Sequence, residues 1–472
     1  MSDSDPRTKP VRLKTQPLQR NLALARLGFG IGSQLAVHNL RGVFRSRDGR
    51  ESADREFNRR MAQELADELG QLKGSVMKAG QLLALYGGYF LPAEVVEVLS
   101  QLQENSQPVP WSVLAPQVRA SLGNRRFAEL EVDPVPVGAA SLGQVHRARR
   151  RRDGAGLCLK IQYPGVADAI DSDVRTLARL LMLRRLTPRG LDLTPMFAEL
   201  AEMLRQEVDY DRERCYIEAF GQRLADDPVF VVPQVLSEYC GPRVLAMSYE
   251  SGLRLDGEEV RALPQTRRNA LGEALFGLFL REFFDWGMVQ TDPHFGNYRV
   301  RLDAARGDRI VLLDFGATRS FTPGFVRDYG EVVRGALLRD RPRIVHGAAA
   351  LGILREDFPQ SVLDGFSRMC EVIVEPFDDH ARRGTPAELL NASGEYRWAR
   401  SDLPSRASTA AALSSLTVHF RLPPREILFL HRRLTGVFVA LAALGVERNL
   451  RAPLLAALGL DAEPDAAGMG RK

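Results

Sequence analysis

Most of the information about the architecture lies in two short polar stretches in the second half of the chain: QTDPHFGN at residues 290–297 and LLDFG at residues 312–316. The first stretch places Asp292 five positions before Asn297, and Asp314 follows 17 positions after that asparagine. Between the stretches, two apolar runs separated by a turn predict a loop, a strand, a turn and a second strand over residues 292–313. We therefore expect these two carboxylates and the amide in loops beside the strands.

The spacing of the three side chains matches the catalytic signature of protein kinases. The kinase catalytic loop HRDLxxxN has the same gap between its aspartate and its asparagine, and a DFG tripeptide follows later in the chain. In that pattern Asp292 accepts or orients the proton of a nucleophile, whereas Asn297 and Asp314 bind Mg²⁺. A DFG tripeptide alone is a weak signal, so the interpretation depends on what stands upstream.

A glycine- and alanine-rich turn stands upstream, where residues 138–145 read GAASLGQV. This segment fits the nucleotide-covering loop GxGxxGxV, with an alanine in place of the middle glycine. Small residues between two strands let backbone N–H groups approach phosphate oxygens. An ordinary turn is the alternative. The nucleotide-binding candidates here are Gly138, Ala139, Ala140, Ser141, Gly143 and Val145.

A lysine follows this turn within a strand predicted over residues 157–161. Lys160 lies 15 positions after Val145, which leaves room for a strand and a turn. A lysine in an apolar strand is costly unless its charge has a partner. Asp209 and Glu213 would share a helix face because they are four positions apart, and a solvated acidic face is the alternative. The candidate partners of the lysine are Glu207, Asp209 and Glu213.

The strand-like residues 229–249 end in Met247-Ser248-Tyr249-Glu250. This ending resembles a kinase hinge, which holds adenine through backbone hydrogen bonds, so Met247 and Tyr249 are further nucleotide-binding candidates. A plain strand end would look the same. Because the loop, the lysine, the Asp-x4-Asn pair and the DFG tripeptide occur in kinase order, the sequence predicts a kinase-like nucleotide site with ATP and Mg²⁺ as its cofactors.

Composition narrows the classes of protein that remain. The chain has 472 residues, 45% hydrophobic and 26% charged, which suits several globular units. Its four cysteines include no CxxC pair, which argues against a disulfide scaffold or a zinc ribbon. The net charge of +5 permits contact with anionic lipid or phosphate without requiring nucleic acid. The polar N-terminus predicts no signal peptide, and we expect a cytoplasmic location, with peripheral membrane contact left open.

Two apolar segments and one basic run bear on membrane contact. Residues 434–446 are too short to span a bilayer and are expected to form a buried helix. Residues 21–40 are long enough but contain polar residues and three glycines. A loose structural helix, a helix packed on a membrane surface or a partner, and a true span all remain open there. The basic run 147–152 falls at a predicted hairpin tip, where solvated charges are the ordinary interpretation and anionic lipid the alternative. Without interleaved aromatic residues, nucleic-acid binding is not expected.

A long helix is predicted over residues 57–86, where apolar residues recur in steps of four and three. Lys78 and Gln81 are three positions apart and share the face opposite that apolar seam. Such a face is ordinarily exposed, yet this one carries few charges. Gly80 would also let another backbone approach it closely.

These segments resemble the UbiB/AarF (ADCK) family of atypical kinases over roughly residues 57–446. Lys78–Gln81 matches the family's KxGQ signature, and Gly138–Val145 resembles its alanine-rich loop. Glu207-Val208-Asp209 resembles the ExD motif of that family, Glu213 the glutamate that pairs with the strand lysine, and Asp292–Asn297 the DPHPGN catalytic loop.

The resemblance implies an α+β, protein-kinase-like fold with a small β-rich N-lobe, a helical C-lobe and an N-terminal helical extension. Its KxGQ helix packs over the site where a protein substrate would bind. Members are thought to act as ATPases or small-molecule kinases in isoprenoid-quinone and lipid metabolism, so the expected partners are ATP and an unidentified small-molecule or lipid substrate. The implied catalytic residues are Asp292, Lys160 and Glu213, and the implied lid residues are Lys78, Gln81, Glu207 and Asp209.

The expected domains follow from the same comparison and from the linkers. They are a disordered tail at residues 1–20, the helical extension at 21–110, the N-lobe with inserted helices at 111–250, the helical C-lobe at 251–450 and a second tail at 451–472.

Several positions depart from the family pattern. Gly138 stands where the first alanine of the family's triplet is expected, which leaves the preference for ATP or ADP open. Gln290 replaces a histidine and Phe295 replaces a proline. The pair of C-terminal membrane spans of some bacterial members is not found, and no APE tripeptide follows Gly316, so a long activation loop is not expected.

Two other functions remain open at this level. A catalytically weak nucleotide-binding regulator or lipid-handling module would keep the same fold, but intact Lys160, Asp292, Asn297 and Asp314 favour an enzyme. An aminoglycoside- or choline-type small-molecule phosphotransferase shares the Asp-x4-Asn pair and the later aspartate but lacks the KxGQ helix. The phosphoryl acceptor is not predicted by the sequence.

Overall fold

The computed structural model describes residues 78–80, 82–83, 96–97, 108–139, 142–183, 194–379, 385–403, 406 and 424–460. The chain divides into two compact units. The first comprises Met1–Cys215 and Gln234–Tyr249, and the second comprises Tyr216–Pro233 and Glu250–Lys472. Residues 216–233, expected in the N-lobe, belong to the second unit, and the division into lobes at residue 250 stays a prediction.

The described helices are α1 (Trp111–Ala128), α2 (Val166–Leu183), α3 (Thr194–Glu207), α4 (Tyr210–Arg223), α5 (Glu258–Arg261), α6 (Gln265–Leu280), α7 (Pro323–Leu338), α8 (Arg341–Ala350), α9 (Gln360–Ile373), α10 (Arg425–Ala443) and α11 (Arg451–Ala457). The described strands are β1 (Leu130–Ala139), β2 (Gly143–Arg150), β3 (Gly156–Gln162), β4 (Phe230–Val231), β5 (Val244–Ser248), β6 (Leu253–Arg254), β7 (Met288–Gln290), β8 (Tyr298–Arg301), β9 (Arg309–Leu312) and β10 (Thr318–Ser320).

The first unit is built around an antiparallel sheet with the strand order β1–β2–β3–β5. Lys160 on β3 lies opposite Val145 of β2 and Leu245 of β5. Its neighbours Leu159 and Ile161 are fully buried on the other face, because successive side chains of a strand alternate. Since β3 is paired on both sides, the backbone of Lys160 is held firmly in place.

Two helices inserted after β3 pack against each other in the same unit. On α2, Val166, Ile170 and Val174 are buried at four-residue spacing, as expected of an amphipathic helix. On α3, Phe197 and Leu204 are buried in the same way. The helical pattern predicted from the sequence after residue 166 is therefore confirmed.

The second unit contains a four-stranded sheet, β4–β9–β8–β6, and a separate pair, β7–β10. Strands β8 and β9 form an antiparallel hairpin, which confirms the strand, turn and strand predicted before Asp314. Helices α6 and α10 pack against each other, and α10 also contacts β7. Their buried residues include Leu271, Leu275 and Phe276 of α6 and Leu430, Val437 and Leu441 of α10.

The structure also describes three further segments for which the sequence makes predictions. The apolar run 434–446 forms the end of α10 and the turn after it, and its buried residues are Val437, Ala440, Leu441, Leu444 and Val446. The region 229–249, predicted to be strand-like, contains β4 and β5, with a 3₁₀ turn at Ser237–Tyr239 between them. The segment expected as a C-terminal tail begins with α11, on which Leu454 and Leu455 are buried.

Several predictions concern residues outside the described part of the chain. The tail at 1–20, the apolar segment 21–40 and most of the extension to residue 110 lie there. Within the extension, residues 78–80 and 82–83 are helical. Ala79 and Leu83 are buried, as the predicted apolar seam requires. Across the described ranges, none of the helices combines the length and apolar character that crossing a bilayer needs.

Candidate active site

Lys160 forms the ion pair expected of a kinase strand lysine. Its Nζ lies 2.7 Å from Oε1 of Glu213, a carboxylate on the first turn of α4. The Glu213 side chain is only 1% exposed and that of Lys160 is 21% exposed. A carboxylate this deeply buried must be compensated by a cation or by hydrogen bonds, and Lys160 supplies the charge.

Asp209 takes a different place from the one expected. Its Oδ1 accepts a hydrogen bond from the Arg212 N–H (2.9 Å), and its carbonyl accepts one from the Glu213 N–H (3.1 Å). Asp209 therefore caps the start of α4 rather than sharing a helix face with Glu213, which corrects that expectation. By capping the helix it holds Glu213 in the first turn, where Lys160 meets it.

Lys78 pairs with the other carboxylate of the ExD-like motif. Its Nζ lies 2.5 Å from Oε1 of Glu207, at the end of α3, and both side chains are partly buried. Gln162, two residues after Lys160, donates from Nε2 to the Val208 carbonyl and ties β3 to the junction between α3 and α4. Lys78 therefore contacts one of the two acidic residues implied for the lid, whereas Gln81 lies outside the described residues.

The glycine- and alanine-rich turn is described only at its two ends. Gly138 and Ala139 end β1 opposite Val145 and Gln144, and Ala140 and Ser141 lie outside the described residues. Among the described residues, nothing lies within 4 Å of where a Cβ on Gly138 would be.

Gly143 has a packing reason of its own. A Cβ there would lie 2.4 Å from the Ile161 carbonyl oxygen and 3.1 Å from the Tyr210 hydroxyl. Its small size is thus required by the close approach of β3 and α4, whatever role it has toward phosphate.

The hinge candidates lie at the end of β5. Met247 is buried opposite Cys158. The Tyr249 N–H donates to the Gly156 carbonyl (3.4 Å), and the Arg147 guanidinium lies 4.2 Å from the centre of the Tyr249 ring. An adenine contact at Tyr249 would therefore compete with an existing backbone hydrogen bond.

In the second unit, Asp292 and Asn297 are joined by the loop between β7 and β8. Asn297 Nδ2 donates to the Asp292 carbonyl (3.0 Å) and to Asp292 Oδ2 (3.3 Å). With the amide nitrogen used in this way, the amide oxygen is the atom available to a cation. His294 Nδ1 accepts from the Gly296 N–H (2.9 Å), a hydrogen bond that stabilises the loop.

Asp314 follows β9 and lies close to the same loop. Its Oδ1 accepts from the Gly316 N–H (3.0 Å), and the preceding Leu313 N–H donates to the Asn297 carbonyl (3.0 Å). Asn297 and Asp314 line one small pocket. Carboxylate and amide oxygens are the donors that Mg²⁺ prefers, so this pair fits the expected cation.

The sequence did not single out an arginine that reaches Asp292 from α10. Arg432 Nη2 lies 2.6 Å from Asp292 Oδ1, and the two side chains are 24% and 22% exposed. At Gly436, one turn further along the helix, a Cβ would lie 1.9 Å from the Cβ of Pro293, so glycine allows α10 to touch the loop. Two adjacent arginines before an apolar run were the available signal, because charges on such a helix need partners.

The second of these arginines is buried in a polar cluster. Arg433 Nε lies 3.1 Å from Oε2 of Glu282, and Arg433 Nη1 donates to the Tyr298 hydroxyl. Glu282 and Arg433 are 1% and 2% exposed. Burial raises the pKa of the Glu282 carboxyl to about 7, and the neighbouring Arg433 opposes that rise.

Gln290, which replaces a family histidine, also contacts the DFG segment. Its Nε2 donates to the Asp314 carbonyl (3.2 Å). Phe315 is buried against Phe220, with ring centroids 5.0 Å apart. Within the described residues no group of three or more His, Cys, Asp or Glu side chains could hold a metal ion alone. Mg²⁺ at this place would therefore share its coordination with phosphates and water, as is usual for this ion.

A comparison with protein-family models assigns the chain to a family. The model of the ABC1 atypical kinase-like domain matches residues 101–348, more than half of the sequence. The chain belongs to this family. It is the UbiB/AarF family that the motifs indicated, and the two-lobed, kinase-like α+β fold is confirmed with it.

Several relatives are named as mitochondrial atypical kinases. COQ8B of Rattus norvegicus is 32% identical over 421 residues, covering 89% of this chain and 75% of that protein. COQ8 of Saccharomyces cerevisiae is 32% identical over 389 residues, covering 81% and 73%. COQ8 of Schizosaccharomyces pombe is 31% identical over 392 residues, and the match spans only 61% of its length.

A solved structure shares the family's fold. The Mycobacterium tuberculosis protein Rv3197, determined in complex with erythromycin, superposes with a TM-score of 0.57 at 24% identity. The alignment covers 86% of this chain and 97% of that one. At this level of identity the likeness supports the architecture only.

Proposed function

We propose that this chain is an atypical kinase or ATPase that binds Mg·ATP and acts in isoprenoid-quinone or lipid metabolism. The observation that carries the proposal is the Lys160–Glu213 ion pair at 2.7 Å in a member of a kinase-like family. Relatives named COQ8 support the choice of pathway.

The proposed chemistry divides among the residues described above. Lys160, oriented by Glu213, binds nucleotide phosphates. The Asn297 amide oxygen and the Asp314 carboxylate bind Mg²⁺, which when bound neutralises charge on the β- and γ-phosphates. Asp292, held on both carboxylate oxygens by Arg432 and Asn297, orients the attacking hydroxyl or water.

The Lys78–Glu207 contact supports a small acceptor rather than a protein. Lys78 belongs to the KxGQ helix, and its partner belongs to the ExD-like motif, so the contact ties the extension to helix α3 of the N-lobe. We propose that this contact restricts access for bulky hydroxyl substrates. An aminoglycoside- or choline-type phosphotransferase lacks the KxGQ helix, which disfavours that alternative.

The test is ATP turnover by the purified full chain in the presence of Mg²⁺. Turnover is measured alone, with phospholipid vesicles and with isoprenoid phenols, and nucleotide binding is followed by the rise in the unfolding midpoint. We expect turnover that the lipid or phenol stimulates. Nucleotide binding without turnover under every condition would favour the regulator, and no binding would reject the nucleotide site.

The matched control is Asp314→Asn. We expect it to abolish Mg²⁺-dependent nucleotide binding and turnover, because an amide neutralises charge poorly between a metal and phosphates. The fold should persist, since the amide oxygen can still accept from the Gly316 N–H. Wild-type Mg·ATP affinity and turnover in this variant would contradict the assignment of Asp314.

A further inference from the structure

The buried Glu282–Arg433 pair calls for an explanation beyond stability. Burying two charges costs desolvation free energy that their attraction seldom exceeds, so apolar residues of similar volume would often serve the fold as well. Both side chains are almost completely buried, and they come from parts of the chain that are 151 residues apart. What distinguishes the pair is the set of groups to which it is bonded.

One branch of contacts leads from Arg433 to a proposed metal ligand. Arg433 Nη1 donates to the hydroxyl of Tyr298, which is buried. Tyr298 directly follows Asn297: Asn297 ends a 3₁₀ turn, Phe295–Asn297, and Tyr298 begins β8. The arginine therefore fixes the backbone next to Asn297 through the tyrosine side chain.

The other branch leads from Glu282 to the second proposed ligand. The Glu282 carboxylate accepts from the backbone N–H of Gln290. The side chain of Gln290 in turn donates to the carbonyl of Asp314 at 3.2 Å. Gln290 Oε1 is buried and has no hydrogen-bond partner within the described part of the chain. It lines the same small pocket as Glu282, Arg433, Asn297 and Asp314.

We propose that Glu282 and Arg433 are positioning residues that set the placement of Asn297 and Asp314 relative to each other for Mg²⁺. This inference rests on the proposed function. Mg²⁺ demands nearly ideal octahedral geometry at short distances, so a small displacement of either ligand lowers its affinity. Side chains that orient metal ligands without binding the metal themselves commonly change metal affinity by about 10- to 100-fold when they are mutated.

The experiment measures the Mg²⁺ concentration that half-saturates the ATP-dependent rise in the unfolding midpoint, at fixed ATP. The informative variants are Tyr298→Phe, which removes one hydroxyl, and Glu282→Gln, which keeps the volume. The control is Asp378→Asn, because Asp378 is a buried carboxylate of the same unit whose ion pair, at 2.7 Å, is with Arg339 rather than with a residue of the proposed site.

We expect the half-saturating Mg²⁺ concentration to rise about 10-fold in Tyr298→Phe and in Glu282→Gln. Asp378→Asn should lower the unfolding midpoint but leave the Mg²⁺ response unchanged. If both test variants respond to Mg²⁺ like the wild type while their midpoints fall, the pair is merely structural and the inference is overturned. If the unaltered chain shows no Mg²⁺-dependent stabilisation by ATP, the proposed function fails and this inference fails with it.

Discussion

At the scale of single residues, the carboxylate of Asp292 is held from two directions. Arg432 bonds one oxygen at 2.6 Å, and the Asn297 amide bonds the other at 3.3 Å. An aspartate that must orient a nucleophile works only in a narrow range of positions, and a misplacement of about 1 Å can reduce the rate about 100-fold. Arg432 thus completes a support that the Asp-x4-Asn spacing alone does not provide.

We therefore expect Arg432→Gln to lower kcat by roughly 10- to 100-fold while the KM for ATP changes little. Arg432→Lys should recover part of the rate, since a lysine keeps the charge without the planar fork of the guanidinium. Steady-state kinetics across ATP concentrations separates kcat from KM. A variant with wild-type kcat would show that Asp292 needs no support from α10.

At the scale of helices and strands, α10 approaches the catalytic loop through one glycine. A Cβ at Gly436 would overlap Pro293, whereas no atom of the described part of the chain lies within 4 Å of a Cβ at Gly277 in α6. Both glycines lie inside helices, where alanine gains up to about 1 kcal/mol of helix propensity. Alanine substitutions at the two positions therefore distinguish the effect of helix propensity from the effect of the close approach to the loop.

We expect Gly277→Ala to be neutral or to raise the free energy of unfolding by up to about 1 kcal/mol. Gly436→Ala should lower it by about 1–3 kcal/mol and reduce turnover, because the added methyl group must displace the loop or the helix. Chemical denaturation and ATP turnover of both variants provide the check. Equal stability of the two alanine variants would mean that the loop moves aside without a loss of stability.

Lys78 contacts the end of α3. Glu207 provides the partner, whereas Asp209 caps α4. Although both acidic residues belong to one ExD-like motif, their geometry assigns them different tasks. This difference allows the proposed lid to be tested without disturbing the Lys160–Glu213 pair.

We predict that Lys78→Ala increases basal ATP turnover or self-phosphorylation by loosening the lid, and that Glu207→Gln has the same effect. Asp209→Asn should behave like the wild type in both assays, because asparagine is an equally good helix cap. Turnover and phosphate incorporation into the chain are the measurements. A Lys78→Ala variant indistinguishable from the wild type would remove the lid while leaving the nucleotide site in place.

At the scale of the whole molecule, the buried Glu282 links stability to pH. Its pKa in the folded chain is raised by burial to about 7, so the folded state binds this proton more tightly than the unfolded state. The contribution to stability is complete at low pH and is lost as the pH rises from the ordinary range of a glutamate through 7. A difference of this size corresponds to about 3 kcal/mol.

Glu282→Gln resembles the protonated acid and cannot titrate. We expect the wild type to lose stability relative to this variant between about pH 5 and pH 8, as judged by denaturant unfolding at each pH. The comparison between the two proteins cancels the titration of other groups. Parallel stability curves would show that Arg433 keeps Glu282 ionised across this range.

The order of the motifs along the chain could be predicted because each motif is local. A strand with a lysine, a loop bounded by an aspartate and an asparagine, and a hairpin before Asp314 all appear as patterns within about 20 residues. Backbone geometry alone converts such patterns into structure, since the alternation in a strand and the periodicity of a helix are properties of neighbouring residues. These patterns led to the family and the kinase-like architecture.

The side chains that orient the site, in contrast, meet partners from distant parts of the sequence. Arg432 meets Asp292 across 140 positions, and Arg433 meets Glu282 across 151. No spacing rule connects residues so far apart, because their distance depends on how α10 packs on the rest of its unit. The division of labour between Glu207 and Asp209 likewise depends on where α3 ends and α4 begins. The sequence therefore determines the local periodicity of helices and strands. Which charged side chains meet is determined only when distant elements pack, because the cost of burying a charge arises only in the folded core.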